Sequence, residues 1–258
     1  MIYAAITAAQ AAGERLRHAF GSHLKVNAEF AHDIKLAADE ECQELIYSIL
    51  LDHFPKTRCI GEEGDSANPG DPNAEVEWIV DPIDGTMNLA YGIPHFCVSI
   101  AARETASKKI LLGVIYDPLR NELFTAERGT GTYLNGVRQK VSTRSKLSEA
   151  VLAVGFAKSQ DSIDHCLKLY QEYGNSARKL RAMGSAALDL AYVATGRLDA
   201  YIEQGVNLWD VAAGVVLVEE AGGVVEMEER AKGKIKVCAH SGQIEYPMVC
   251  ESNFNRKT

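Results

Sequence analysis

Two carboxylates stand three residues apart in the segment 81–86, Asp-Pro-Ile-Asp-Gly-Thr, directly after an apolar run. Pro82 fixes its own φ angle and favours an extended Asp81, and Gly85 permits a sharp turn. Asp81 and Asp84 can then face one point from either side of the turn, with the carbonyl group of Ile83 between them. Because hard oxygen ligands suit Mg²⁺ better than Zn²⁺, the segment predicts a magnesium site.

The residues that follow this segment extend the same hypothesis. Residues 86–89 predict a short helix, whose free N–H groups would form an anion site beside the metal. A divalent ion next to a phosphate-binding site is typical of the catalytic centre of a phosphoryl hydrolase. Asp-Pro and Asp-Gly are also common turn dipeptides, so on these residues alone the capping of a turn is an equal alternative.

Four further acidic residues, at three places in the chain, lie where a predicted strand ends or a helix begins. Glu62 and Glu63 follow a short strand, Asp210 lies at the start of a helix after Trp209, and Asp39 begins another helix. Taken singly, each is explained as well by a solvated turn or by helix capping. Their occurrence together with the segment 81–86 favours one shared site.

The elements that must position these acids follow from the hydrophobic spacing. In the first half, several predicted strands are joined by turns that contain Gly and Pro, which indicates an antiparallel meander. In the second half, strands alternate with helices, which favours a layered α/β fold. The predicted helices are 1–20, 38–54, 161–173, 186–195 and 208–221, and the predicted strands are 58–60, 76–80, 96–102, 110–116, 122–126, 151–154, 198–202 and two more near residues 236 and 248.

Two details of this layout can be tested against the structure. In the helix 161–173 we expect Ile163, Leu167 and Tyr170 to share one face. The polar stretch 141–148 predicts the division of the chain into an N-terminal α+β subdomain, 1–143, and a C-terminal α/β subdomain, 144–258.

Composition limits the classes of function. The 258 residues carry a formal charge of −8 and are 47% hydrophobic, which is typical of a globular protein. The acidic balance argues against nucleic-acid binding, because a phosphate backbone attracts a basic surface. No apolar run approaches the ~20 residues that span a bilayer. The N-terminus resembles no signal peptide, and six cysteines without motif spacing predict free thiols in a cytoplasmic protein.

Three separated motifs closely resemble those of the inositol monophosphatase family, the Mg²⁺-dependent, lithium-sensitive phosphomonoesterases. The run 78–89 is similar to the first signature of the family, and the run 209–214, Trp-Asp-Val-Ala-Ala-Gly, to the second. Residues 60–63, Ile-Gly-Glu-Glu, are similar to its Gly-Glu-Glu turn. The resemblance extends from about residue 33 to residue 223, with the motifs in the family's order.

The resemblance implies a role for individual residues. Thr86 would orient the attacking water, with Asp39 as its hydrogen-bond partner, and Glu62 would take part in catalysis as a metal ligand. Two or three Mg²⁺ ions would be held by Glu62, Asp81, the carbonyl of Ile83, Asp84 and Asp210. The phosphate and the rest of the substrate would contact Gly85, Thr86, Gly184, Ser185, Ala186, Glu203 and Asp210.

The resemblance also implies a layered α-β-α-β-α sandwich, a homodimer, and a phosphate monoester as substrate, most simply inositol monophosphate. Histidinol phosphate, fructose bisphosphate, NADP and a nucleotide 3′-phosphate are alternatives within the same chemistry. A regulatory binding protein of transcription or ribosome maturation is an alternative of another class. No membrane partner is implied, and no covalent nucleophile is needed, since no Ser or Cys stands in a nucleophile motif.

Overall fold

The computed structural model describes residues 1–21, 26–30, 33–63 and 69–244, with the backbone alone for 26–30 and 33–36. The helices in these residues are α1 Ile2–Ala19, α2 Ala37–His53, α3 Thr86–Ala90, α4 Gln160–Tyr173, α5 Ala186–Ala194 and α6 Leu208–Glu220. The strands are β1 Val26–Phe30, β2 Asp33–Leu36, β3 Arg58–Gly61, β4 Val76–Asp84, β5 Cys97–Glu104, β6 Ile110–Asp117, β7 Glu122–Glu127, β8 Gly131–Leu134, β9 Val137–Gln139, β10 Val151–Val154, β11 Lys179–Arg181, β12 Ala200–Val206, β13 Val224–Glu229 and β14 Ile235–His240.

A seven-stranded sheet, a five-stranded sheet and three layers of helix alternate through the molecule, and β1 pairs antiparallel with β2 in a separate two-stranded sheet. The larger sheet has the order β3-β4-β5-β6-β7-β8-β9, and the smaller has the order β11-β10-β12-β14-β13. Helices α1 and α2 pack on one face of the larger sheet, α5 and α6 lie between the two sheets, and α4 covers the smaller sheet. The predicted α-β-α-β-α sandwich is therefore confirmed.

The larger sheet carries most of the predicted meander. Strands β4 to β9 pair antiparallel in chain order, and β3 joins β4 in parallel. Helix α6 packs closely on this sheet at Gly113 of β6. A Cβ atom at this residue would lie only 2.5 Å from the carbonyl oxygen of Ala213, so a larger residue would not fit. Helix α6 also contacts β4, the strand that carries Asp81 and Asp84.

Strand β4 is longer than predicted. It continues beyond Val80 to Asp84, and its pairing with β5 shifts by one residue between Asp81 and Asp84. Pro82 lies in this bulge, where the ladder does not need the N–H group that proline lacks. The two carboxylates therefore lie on either side of a bulge, and the turn that we predicted for them begins only at Gly85.

The face of α4 that carries Ile163, Leu167 and Tyr170 is not its buried face. Leu167 is 55% exposed, and the buried residues of this helix are Ser162, Cys166, Leu169 and Tyr173. The helix packs on β10 and β12 through these residues, which are also spaced by three and four positions. Ile163, Leu167 and Tyr170 show the same spacing, so periodicity alone did not distinguish the two stripes.

The predicted subdomain boundary and some of the predicted strands are not tested by the structure, and other strands were missed. The last strand of the larger sheet ends at Gln139 and the first of the smaller begins at Val151, and the predicted boundary at 143/144 falls between them; that boundary stays a prediction. The predicted strand near residue 248 and part of the acidic loop after Glu63 lie outside the described residues. Strands β1, β2, β8, β9, β11 and β13 were not predicted.

We expected all six cysteines to be free thiols, and this prediction is wrong. Cys238 of β14 is disulfide-bonded, whereas Cys42, Cys59, Cys97 and Cys166 are free and buried. Disulfide pairing depends on two sulfur atoms meeting in space, which the spacing of cysteines along a chain does not reveal. Of the helices in the described part of the chain, none is long and apolar enough to cross a membrane.

Candidate active site

The acidic residues of the three motifs come together at one end of the larger sheet. Glu62 follows β3, whose last residue pairs in parallel with Val80 of β4, and Asp210 lies in the first turn of α6. They line a cavity of about 230 Å³ together with Asp81, Ile83, Asp84, Gly85, Thr86, Met87, Gly184 and Asn207. All five residues predicted as metal ligands therefore lie around one cavity.

Burial and mutual repulsion act on the carboxylates of this cavity. Burial, followed by the charges of Glu62 and Asp84, holds the pKa of Asp81 well above its usual range. Burial, followed by the charge of Asp210, raises the pKa of Glu62 to about 8, and burial raises that of Asp210 to about 7. A cation placed among these groups would favour their ionised forms, so the donor set fits a hard divalent ion such as Mg²⁺.

The carboxylates are neighbours but do not form a closed coordination shell. Oδ1 of Asp81 accepts a hydrogen bond from the backbone N–H of Ile83 at 3.0 Å, and Oδ2 of Asp210 accepts one from that of Asn207 at 2.7 Å. Within the described residues, no three Asp, Glu, His or Cys side chains are arranged so that they could hold a metal ion by themselves. Non-side-chain ligands, such as the Ile83 carbonyl and water, would have to complete the shell.

The hydroxyl group of Thr86 lies where β4 passes into α3. Its Oγ1 is 2.8 Å from the carbonyl oxygen of Ile83 and 3.3 Å from Oδ1 of Asp39, which is buried in the first turn of α2. The structure thus brings together the pair that the family resemblance implied, although the two residues are 47 positions apart.

Gly85 makes the turn into α3 possible. Its φ angle is 95°, in the left-handed region, and a Cβ atom there would lie 3.0 Å from the carbonyl oxygen of His95. The backbone at Gly85 and Thr86 therefore borders the acidic cavity without an intervening side chain at residue 85.

A second cavity of about 480 Å³ adjoins the first and shares Asp84, Met87, Gly184 and Asp210 with it. The remaining predicted substrate residues Ser185, Ala186 and Glu203 also line it. Burial raises the pKa of Glu203 to about 7. A ligand in the second cavity would therefore reach the carboxylates of the first.

Several residues of the site were not found from the sequence. Gln43 of α2 fixes the Glu62-Glu63 turn, because its amide group donates to the carbonyl of Glu63 at 2.6 Å and accepts from the N–H of Glu63 at 3.0 Å. Phe156 and Lys158 line the larger cavity from the loop after β10. None of these three residues belongs to a motif, so no signal in the sequence identified them.

Asn88 joins the two walls of the site. Its amide nitrogen donates to the carbonyl oxygen of His95 at 2.7 Å and to that of Met183 at 2.9 Å. This side chain ties α3 to the segment before α5, which carries Gly184 and Ser185.

The chain as a whole is similar to known proteins of one family. The model of the inositol monophosphatase family matches residues 1–248. A protein of Pseudomonas aeruginosa named Nus factor SuhB is 39% identical over 230 residues, which are 87% of this chain and 84% of that protein. Inositol monophosphatase 1 of tomato, Solanum lycopersicum, is 41% identical over 225 residues, which are 86% of this chain and 82% of that protein.

A solved structure gives the same result for the fold. The extragenic suppressor protein suhB of Bartonella henselae superposes with a TM-score of 0.83 at 36% sequence identity, over 91% of this chain and 92% of that one. With a family model along nearly the whole chain and relatives of this similarity, the chain belongs to the inositol monophosphatase family.

Proposed function

We propose that this protein is a Mg²⁺-dependent phosphomonoesterase, with inositol monophosphate as its most favoured substrate. The observation that carries the proposal is the junction of the two cavities at Asp84 and Asp210, which puts the oxygen ligands for a cation beside a larger binding space. Membership of the family and its plant relatives named inositol monophosphatase support the same chemistry.

In this proposal, two or three Mg²⁺ ions are held by Glu62, Asp81, the carbonyl of Ile83, Asp84 and Asp210. Bound Mg²⁺ neutralises phosphate charge, lowers the pKa of a water and stabilises the departing alkoxide. Such assistance is needed because the uncatalysed hydrolysis of a phosphate monoester is among the slowest known reactions.

The side chains of the site have distinct tasks in the reaction. The hydroxyl of Thr86 donates a hydrogen bond to Asp39, and its oxygen lone pair accepts a hydrogen bond from the attacking water and so orients it. The backbone N–H groups of Gly85 and Thr86 donate to phosphate oxygens. Glu203 accepts hydrogen bonds from hydroxyl groups of the leaving alcohol, and the backbone at Gly184 and Ala186 forms the opposite wall.

A phosphate-release screen tests this function. Purified protein with Mg²⁺ is given inositol monophosphate, histidinol phosphate, fructose 1,6-bisphosphate, NADP and a nucleotide 3′-phosphate, with an Asp81→Asn variant as the matched inactive control. We expect the highest kcat/KM for inositol monophosphate, loss of turnover with EDTA, and uncompetitive inhibition by millimolar Li⁺. No Mg²⁺-dependent release from any of these substrates would contradict the proposal, and a clear preference for another one would replace the substrate.

A second role is favoured by the bacterial relatives, since the Pseudomonas aeruginosa protein is named a Nus factor. We propose that this chain also acts as a binding factor in transcription or ribosome maturation. The test is genetic: a source strain that lacks the gene receives either the wild type or the inactive Asp81→Asn variant. Restoration of growth by the inactive protein would support the binding role, and restoration by the wild type alone would refute it.

We also propose that the protein is a homodimer and that it acts in the cytoplasm. Analytical ultracentrifugation tests the dimer.

A further inference from the structure

The side chain of Ser185 is turned towards a predicted metal ligand. Its Oγ donates to Oδ2 of Asp84 at 2.5 Å, across 101 positions of sequence. Ser185 is 2% exposed and Asp84 8%, so water competes little for this hydrogen bond. A hydrogen bond to a charged group is stronger than one between neutral groups, which makes this contact well suited to fix an orientation.

Asp84 is bonded at both oxygens to the start of α5. Besides the Ser185 hydroxyl, Oδ2 accepts from the backbone N–H of Ala187 at 2.7 Å, and Oδ1 accepts from that of Ala186 at 3.2 Å. The Cys97 thiol also donates to Oδ2, at 3.7 Å. These four donors fix the plane of the carboxylate and occupy Oδ2, which leaves a lone pair of Oδ1 for a metal ion. The same residues, 185–187, border the larger cavity or lie next to it.

The Ser185 hydroxyl has a second contact that accounts for its place in the helix. It accepts a hydrogen bond from the backbone N–H of Leu188 at 3.4 Å and so caps α5. A cap alone would explain a serine here. The donated bond to Asp84 is what distinguishes this position from an ordinary helix start.

We infer that Ser185 is a positioning residue for the metal ligand Asp84, and that its side chain is not a substrate ligand. Its hydroxyl holds the Asp84 carboxylate in the orientation that binds Mg²⁺ and ties that orientation to the wall formed by Gly184 and Ala186. This inference rests on the proposed Mg²⁺ site and assigns Ser185 a task different from the substrate contact that the family resemblance implied.

The chain offers a matched control for the capping contact. Ser159 is the N-cap of α4, and its Oγ accepts from the backbone N–H of Ser162 at 3.3 Å, much as Ser185 does from Leu188. Ser159→Ala removes a cap of the same kind without touching Asp84. Ser185→Ala removes the cap and the bond to Asp84, Ser185→Thr keeps a hydroxyl, and Ser185→Gly is a second hydroxyl-free variant that helix N-caps tolerate well.

The experiment measures the Mg²⁺ dissociation constant of each protein by calorimetry, together with Tm and with kcat and KM for inositol monophosphate at saturating Mg²⁺. We expect Ser185→Ala and Ser185→Gly to raise the dissociation constant about 10-fold or more, as losses of groups that orient metal ligands do. Ser185→Thr should stay within about 3-fold of the wild type in the same comparison. Ser159→Ala should lower Tm without changing the dissociation constant.

Two results would overturn the inference. An unchanged Mg²⁺ dissociation constant in both hydroxyl-free variants, with a higher KM alone, would make Ser185 a substrate ligand. The same unchanged constant with a lower Tm alone would make it only a helix cap. If the wild type itself binds no Mg²⁺, the proposed function fails, and that outcome is separate from the comparison between variants.

Discussion

Tyr201 donates a hydrogen bond to Oε2 of Glu203 at 2.8 Å, between two side chains on the same face of β12. Tyr201 is fully buried and Glu203 lines the larger cavity, so the bond anchors the carboxylate at the cavity wall. A carboxylate held in this way can still accept hydrogen bonds from a ligand through its remaining lone pairs.

Glu203→Ala should therefore reduce kcat/KM for inositol monophosphate strongly and for 4-nitrophenyl phosphate hardly at all. Hydrogen bonds to a charged group contribute roughly 1.5–3 kcal/mol each, so the loss of one corresponds to about 10-fold or more. Steady-state kinetics on both substrates measures the difference. Tyr201→Phe is the matched control, since it keeps the carboxylate. Equal losses on both substrates, or none, would exclude a contact between Glu203 and substrate hydroxyl groups.

Replacing the hydroxyl that contacts Asp39 tests water orientation. Thr86→Val should lower kcat by about 100-fold or more, the usual size of a lost proton-transfer or orienting group, and Thr86→Ser should restore most of it. The double variant Thr86→Val/Asp39→Asn should be little worse than Thr86→Val, because Asp39 acts through Thr86. Pre-steady-state and steady-state phosphate release measure these values, and fully additive losses would show that the two residues act independently.

Neutralising one carboxylate tests the metal site. Asp210→Asn keeps the size of the side chain but removes its charge, and we expect at least a 10-fold to 100-fold weaker affinity for Mg²⁺ and a similar loss of turnover. Titration calorimetry measures the affinity. Asp161→Asn, on the exposed side of α4, is the control and should change neither value. Near-normal Mg²⁺ affinity in Asp210→Asn would remove Asp210 from the ligand set.

The raised pKa of Glu62 predicts how stability depends on pH without metal. Its ordinary value of 4.5 rises to about 8 in the folded state, so folding favours the protonated form. This contribution to stability is complete below about pH 4.5 and is lost as the pH rises through 8.

The Tm of the protein in EDTA should consequently fall between pH 5 and pH 8, and Mg²⁺ should stabilise the protein more at pH 8 than at pH 5. Differential scanning calorimetry at both pH values, with and without Mg²⁺, measures this. The variant Glu62→Gln should show a smaller pH dependence in EDTA. An equal gain in Tm from Mg²⁺ at both pH values would contradict the prediction.

A buried ion pair away from the site tests what stabilises β4. Glu77 is fully buried and bonded to Arg58 of β3 and to Arg103 of β5, the latter at 2.6 Å. Glu77→Ala leaves two partly exposed guanidinium groups without their partner, and we expect a cost of about 1.5–3 kcal/mol, less than for a fully buried pair. Chemical denaturation measures the free energy of unfolding. Mg²⁺ affinity should not change in the folded variant, and a loss below about 1 kcal/mol would mean that water replaces the pair.

The sequence determined the helices, the longer strands and the identities of the acidic residues, because these are local properties. Hydrophobic spacing placed α2, α5 and α6 to within one residue at either end. The acid clusters were found because each stands at the end of a strand or the start of a helix, and because three motifs follow one another in a known order.

Only the tertiary structure decided which atoms meet. The bulge at Asp81–Asp84, the buried face of α4 and the bond from Ser185 to Asp84 all depend on contacts between segments far apart in the chain. Helix propensity does not distinguish two stripes of residues with equal spacing, so it cannot tell which face of α4 is buried. It also does not tell whether a serine that caps a helix lies beside a carboxylate. Packing decides between these alternatives, because a buried polar group needs a hydrogen-bond partner and a buried helix face needs a complementary surface. Both are supplied by other segments of the chain.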